Sequence, residues 1–165
     1  MKKSVLLRLY KACEGLRFGS LGNEFRLFFL RRIARSIGTN VFIAPRVTLI
    51  HPENLIIGNN VSIRQDTYID CSAIVQIGND VSIAHSVSII AFNHSYEGSG
   101  KIRDNEIVSK EITIMDDCWV GCRSIILAGV KLSPRTIVAA GAVVTHSSPG
   151  NCIIGGVPAK MIKAI

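Results

Sequence analysis

The chain has 165 residues, 48% apolar and 19% charged, so a single compact domain is expected and a disordered tail is excluded. Aromatics make up only 6% while Ile and Val are abundant, which argues against an aromatic nucleic-acid platform and for a β-rich core. The net charge of +7 is unevenly placed: residues 1–46 hold ten Lys/Arg and two Glu, whereas residues 47–165 hold nine Lys/Arg and ten Asp/Glu, so the basic character belongs to the N-terminal zone.

In chain order, the opening MKKSVLLRLYK is basic, but its apolar stretch breaks at Arg8, and no cleaved signal peptide is read there. Apolar runs such as Leu27 to Leu30 fall far short of the roughly 20 residues of a membrane span. A short helix is expected over Val5 to Tyr10. A second is expected where Phe25, Phe28, Phe29, Ile33 and Ile37 recur at spacings of three and four, forming one apolar face. Asn23 would cap its start with Glu24 in the first turn, Arg31, Arg32 and Arg35 would suit the dipole near its end, and Gly38 would stop it. Such an element suits either peripheral contact with an anionic membrane surface or packing against its own body or a neighbouring subunit.

From Val41 onward the sequence repeats with period six: VFIAPR, VTLIHP, LIIGNN, VSIRQD, TYIDCS, VQIGND, VSIAHS, VSIIAF, ITIMDD, CWVGCR, SIILAG, VKLSPR, TIVAAG, AVVTHS. The third position of all fourteen hexads is Ile, Leu or Val, from Ile43 to Val144. Insertions of two, two and nineteen residues occur at Glu53–Asn54, Ala73–Ile74 and Asn93–Glu111. With the hexads grouped in threes, each insertion falls between the second and third hexad of its coil. A three-faced prism explains this, with every insertion leaving one corner and coils stacked at about 4.8 Å. Gly58, Asn59, Asn60, Gly78, Asn79 and Asp80 suit the corners, and the N-terminal helix is available as the cap such an array needs. A β-sandwich would instead show spacings of eight to twelve residues. The expected organisation is an N-terminal helical, basic segment over 1–38 and a parallel β-helix over 39–165 with a loop extruded at 93–111. The five cysteines form no CxxC pair and no zinc-site spacing, so they read as free thiols in a reducing cytoplasm.

The hexads, the loop FNHSYEGSG, the segment CWVGCRSIILAGV and the ending IIGGVPAKMIKAI together resemble the hexapeptide-repeat acyltransferases. The likeness is closest to the maltose, galactoside and polysaccharide O-acetyltransferases, over roughly residues 38–165. The resemblance implies a left-handed parallel β-helix, a homotrimer, and acetyl-CoA as co-substrate in the groove between adjacent subunits, with no metal and no nucleic acid. Handedness does not follow from the repeat, and the general crossover preference favours a right-handed coil. The first forty residues match no motif of the family.

Acetyl transfer from a thioester needs a base for the attacking hydroxyl, donors for the oxyanion and a hold on the cofactor. Of four histidines only His94 sits at the root of the long loop, and neutral imidazole accepts a proton near pH 7. The family's catalytic histidine falls at this position; a loop histidine making only surface hydrogen bonds is the alternative. His51, His85 and His146 read as structural or solvated. The ring's orienting partner would be Glu97 or a backbone carbonyl. The resemblance places the oxyanion donor at the amide of Cys122 and leaves Trp119 either beside the acetyl or pantetheine arm or in subunit packing. It sets Ala140, Gly141 and Thr145 along the pantetheine, and Lys160 and Lys163 at the nucleotide phosphates. For the sugar or glycan acceptor the expected wall is Arg64 and Asp66 with the long loop. Relatives acting on free sugars often show Asn where Arg64 stands, so Arg64 suits an anionic sugar or larger precursor, or only pairs with Asp66. No GxxxxGK[ST] loop is present, which disfavours ATP.

The expected activity is therefore O-acetylation of a sugar hydroxyl in surface-polysaccharide assembly, in the cytoplasm or at the inner membrane face. N-acetylation of an amino sugar and a non-catalytic trimeric scaffold that binds membrane or a partner enzyme are the alternatives. A metal-dependent hydratase would need three converging histidines, and only His85 and His94 lie close in sequence.

Overall fold

The structure is a computed structural model that describes residues 3–15, 19–97 and 99–165. Met1 and Lys2 of the basic opening, Leu16 to Phe18 of the helical zone and Gly98 of the loop lie outside the described residues. Because the apolar positions recur every six residues, the chain turns after each hexad and builds three parallel sheets as the faces of a triangular prism. The first face stacks Phe42–Ile43, Ser62–Ile63, Ser82–Ile83, Trp119–Val120, Thr136–Val138 and Cys152–Gly155. The second stacks Thr48–Ile50, Tyr68–Asp70, Ser88–Ile90, Ile125–Leu127 and Val143–Val144. The third stacks Ser36–Ile37, Leu55–Ile57, Val75–Ile77, Ile112–Ile114 and Lys131–Leu132. The coil is a left-handed β-helix of about 6 turns, against the general crossover preference.

Register reports the insertions directly. Partners in neighbouring coils lie 18 residues apart where nothing intervenes, as in Trp119↔Ile137. They lie 20 apart across a two-residue insertion, as in Ser62↔Ser82, and 37 apart across the long loop, as in Ser82↔Trp119. All three insertions leave the edge between the second and third faces.

Inside the prism every third-position residue is buried, with at most 2% exposure. Burial of such side chains contributes roughly 1.5–3 kcal/mol each, which holds the coils together. First positions point inward too, and their polar members are satisfied locally: Thr67 Oγ1 donates to Ala84 O (3.1 Å), Ser124 Oγ to Gly121 O (2.8 Å) and Thr136 Oγ1 to Ser133 O (2.6 Å).

At the edge between the third and first faces, Asn40, Asn60, Asp80, Asp117 and Arg135 take left-handed φ values of 51–58°. Asn and Asp tolerate this region best among residues with a Cβ. One residue earlier, side-chain oxygens form a ladder in which Asn59 N donates to Asn79 Oδ1 (2.9 Å) and Asn79 N to Asp116 Oδ1 (2.7 Å). Gly58 serves a different purpose from the expected turn: a Cβ there would lie 2.7 Å from the Gly78 carbonyl, so only Gly permits the coils to close.

Two helices, α1 (Lys3–Cys13) and α2 (Gly19–Ile33), cover the first coil as the expected cap. The cap's details differ from the sequence expectation. Helix α2 starts before Asn23, which lies inside it, and Ile37 belongs to the third face. Phe25 and Phe28 are 54% and 49% exposed, and the buried side is instead Asn23, Arg26, Leu27, Leu30 and Ile33. The cause is hydrogen bonding. The first coil has no strand before it on the first face, so its backbone groups need partners. Asn23 supplies both a donor, to Val41 O (3.1 Å), and an acceptor, for Ile43 N (2.8 Å), and Arg26 Nε donates to Ile43 O (2.9 Å). Tyr10 Oη donates to Val47 O (3.2 Å). Phenylalanine cannot make these bonds, so the side that carries Asn23 and Arg26 beside Leu27, Leu30 and Ile33 turns inward. At the far end, Lys160–Ala164 folds back antiparallel on Cys152–Gly155.

Candidate active site

The long insertion is a two-stranded arm. Phe92–His94 pairs antiparallel with Ile107–Ser109, which sets His94 opposite Ile107. Lys110 N donates to Ala91 O (2.9 Å) and closes its root, while Ser95 N donates to Glu106 O (2.9 Å) and Asn105 Nδ2 to Ser95 O (2.8 Å) farther out. Between this arm and the second face lies a cleft of about 600 Å³ with an apolar floor that includes Ile90 and Leu127. Its polar lining includes His94, Glu97, Lys110 and Thr145.

His94 is exposed and packs edge-on to the Phe92 ring at 6.4 Å between centroids. Its backbone N–H donates to Asn93 Oδ1 (3.0 Å). Among the described residues no hydrogen bond or ion pair engages either ring nitrogen, so both are open to a hydroxyl in the cleft. Glu97 lines the same cleft without bonding the ring; its backbone N–H donates to Ser95 Oγ (3.3 Å). The other histidines lie outside the cleft lining. His51 Nδ1 stands 3.5 Å from Glu53 Oε1, His85 accepts from Arg123 N through its carbonyl (3.2 Å), and His146 Nδ1 is 2.8 Å from Thr145 Oγ1.

The remaining expected residues fall elsewhere on the prism. Arg64, Asp66, Cys122, Ala140 and Gly141 occupy the edge between the first and second faces, whereas His94 and Thr145 share the edge between the second and third. Arg64 does not pair with Asp66; its guanidinium lies 5.3 Å above the Phe42 ring, and Asp66 instead binds Arg46 through two contacts of 2.6 and 2.7 Å. The two carboxylate oxygens match the planar guanidinium fork of the neighbouring coil.

Gly121 is fixed by coil packing, since a Cβ would meet Val138 O and Ala140 N, each at 2.6 Å. The Cys122 N–H that follows has no backbone acceptor among the described residues, as is also true of Gln65, His85 and Ala140 at the same corner of other coils. Gly141 takes φ 72°, and a Cβ there would meet nothing within 4 Å, so that edge is open to a ligand.

Trp119 is 55% exposed on the first face beside a hollow of about 360 Å³, shared with Asp80, Ser82, Arg135 and Ile165. Lys160 and Lys163 are exposed on the terminal strand of that face. Cys71, Cys118 and Cys152 are buried and Cys13 and Cys122 half-buried, all as free thiols; burial pushes the Cys71 thiol up to about 12 and raises Cys118. Among the described residues no group of three His, Cys, Asp or Glu side chains could hold a metal ion.

No protein-family model matches the chain. It is 28% identical over 142 residues to the galactoside O-acetyltransferase of Escherichia coli (strain K12), covering 86% of this chain and 70% of that one. It is 30% identical over 136 residues to the putative acetyltransferase YJL218W of Saccharomyces cerevisiae, covering 82% and 69%. The chain belongs to the hexapeptide-repeat acyltransferases. Within them it is an acetyltransferase. The fold of this acetyltransferase superposes on that of the hexapeptide-repeat acetyltransferase VCA0836 of Vibrio cholerae, solved with acetyl coenzyme A. The TM-score is 0.87 at 25% identity, covering 98% of this chain and 86% of that one. In this acetyltransferase the sequence singled out His94, while the hairpin form of the arm and the place of Lys110 in the cleft escaped it. Phe-Asn-His and Ile-Val-Ser carry no apolar–polar alternation, so the sequence held no period-two signal for this hairpin.

Proposed function

We propose that this acetyltransferase moves acetyl from acetyl-CoA to a sugar hydroxyl of a surface-polysaccharide precursor in the cytoplasm, with His94 as general base. The acceptor hydroxyl gives its proton to the His94 ring as its oxygen attacks the thioester carbonyl. The oxyanion is met by the Cys122 amide, and the thiolate leaves as CoA, taking the proton from the imidazolium. One observation carries the reading: His94 presents to an open cleft at the root of the arm a ring whose nitrogens have no hydrogen-bond partner among the described residues.

The working unit in this proposal is a homotrimer. His94 and Cys122 stand on different edges of one prism, and a neighbouring chain can bring the first-to-second-face edge against the arm. Trp119, Ala140, Gly141 and Thr145 would then flank the pantetheine, and Lys160 and Lys163 the phosphates. Arg64 and Asp66 would border the acceptor. Small exposed residues and the open space at Gly141 support close approach of the cofactor.

The experiment is a screen of purified protein with acetyl-CoA against neutral, anionic and lipid-linked glycans, reading release of free thiol. Thiol release with a hydroxyl acceptor supports the assignment. No release with any glycan, while CoA still binds, removes the sugar from it, and release with amino sugars alone makes the enzyme an N-acetyltransferase.

A further inference from the structure

Helix α2 has two apolar sides, and only one of them is used by the fold. Leu27, Leu30 and Ile33 face the coil, while Leu21, Phe25 and Phe28 recur at spacings of four and three on the outside, exposed by 65%, 54% and 49%. On α1, Val5 and Leu9 form a similar exposed pair four residues apart. Such stripes cost free energy in water and mark surfaces that meet something.

The charges around the stripe say what that is. Arg8, Lys11, Arg31, Arg32 and Arg35 are all exposed, and among the described residues none of them takes part in an ion pair. Arg32 lies 3.6 Å above the Phe28 ring, which holds its charge against the apolar stripe, and Arg31, one residue earlier, donates to Gly38 O (3.2 Å). Of the two acids in residues 1–46, Glu14 is engaged inward by Thr48 Oγ1 (2.7 Å) and Glu24 is exposed; Glu53, also exposed, lies on the Pro52–Asn54 turn that packs against α2 and stands 3.5 Å from His51 Nδ1. Five of the ten Lys/Arg of residues 1–46 are therefore exposed on or next to the two helices that carry the exposed apolar residues, at one end of the prism.

We infer that the outer side of α2, with Leu21, Phe25 and Phe28 among Arg31, Arg32 and Arg35, docks on an anionic lipid surface. The rings enter the interface between headgroups and acyl chains, and the guanidiniums stay at the level of the lipid phosphates. This inference does not depend on the acceptor or on His94.

The test is flotation of the full chain with vesicles of phosphatidylcholine alone and with about 30% phosphatidylglycerol, an anionic content that gives a strong surface potential. Binding is expected only to the anionic vesicles, and it should weaken as salt rises from about 50 mM to about 500 mM. Phe25→Ser/Phe28→Ser and, separately, Arg31→Gln/Arg35→Gln should each lower binding at least tenfold, with melting temperature and native mass unchanged. Equal binding to both vesicle types, or none to either, overturns the inference. So does a fall in native mass in the Phe25→Ser/Phe28→Ser variant, which would show that a second copy covers the stripe.

Discussion

Asn23 and Ile43 are joined by a 2.8 Å hydrogen bond in which a side-chain oxygen of a helix stands in for the missing neighbour of a strand. With the Asn23 amide donating to Val41 O, one side chain satisfies two backbone groups of the first coil. Replacing it by Leu keeps the size but leaves a buried N–H and a buried carbonyl without partners. Each such orphan costs about 1–3 kcal/mol, so Asn23→Leu should lower unfolding free energy by several times the effect of an exposed substitution such as Glu24→Gln. Urea denaturation decides this, and equal midpoints for the two variants would show that the helices do not secure the coil.

The repeat was legible because a prism with two inward positions per six residues leaves little freedom. All fourteen third-position residues are buried, and the insertions leave the edge that the grouping in threes predicts. The orientation of α2 was not legible from apolar spacing. Phe25 and Phe28 make as good a periodic stripe as Leu27 and Leu30, and the choice is set by backbone groups that exist only once the first coil is folded. The site was legible in part: His94 and Thr145 line one cleft, and Arg64, Asp66 and Cys122 stand on another edge. A single sequence fixes positions along a prism but does not say which edge of a second chain will face them.

Cys71 and Tyr10 predict the alkaline behaviour. Burial, with smaller contributions from Asp70 and Glu53, pushes the Cys71 thiol up to about 12; burial, then Glu14, also raises Tyr10. The folded chain therefore keeps protons that the unfolded chain has released. The resulting stability is whole below about pH 8.5, where a free thiol begins to ionise, and is lost as pH rises further. Thermal melts across this range should fall steadily, and Cys71→Val should fall less steeply than the parent. Parallel curves would remove Cys71 as a cause.

His94 is exposed and, among the described residues, its ring nitrogens make no hydrogen bond or ion pair, so its removal should cost function and not stability. His94→Ala should lower the rate of acetyl transfer to a hydroxyl by about 10²–10⁴. Affinity for CoA and the melting temperature should stay within error. A variant that transfers to amines at the parental rate but not to hydroxyls would point to an amine acceptor, whose neutral form needs less help from a base. Full activity towards hydroxyls would remove His94 from the mechanism.

The sharpest test of the oxyanion donor lies at Cys122, because the chain already shows how to delete a corner amide. Pro45 occupies the same hexad position in the first coil, followed by Arg46 at φ 60°, just as Cys122 is followed by Arg123 at φ 57°. A proline is therefore compatible with the corner, and Cys122→Pro removes the N–H with little change of shape. Loss of one oxyanion donor should lower kcat by about 10²–10³ with little change in KM for acetyl-CoA, whereas Cys122→Ala and Cys122→Ser should stay near the parent. A folded Cys122→Pro enzyme with parental kcat would place the donor elsewhere. Loss of activity in Cys122→Ala equal to that in Cys122→Pro would instead implicate the thiol and an acyl-enzyme.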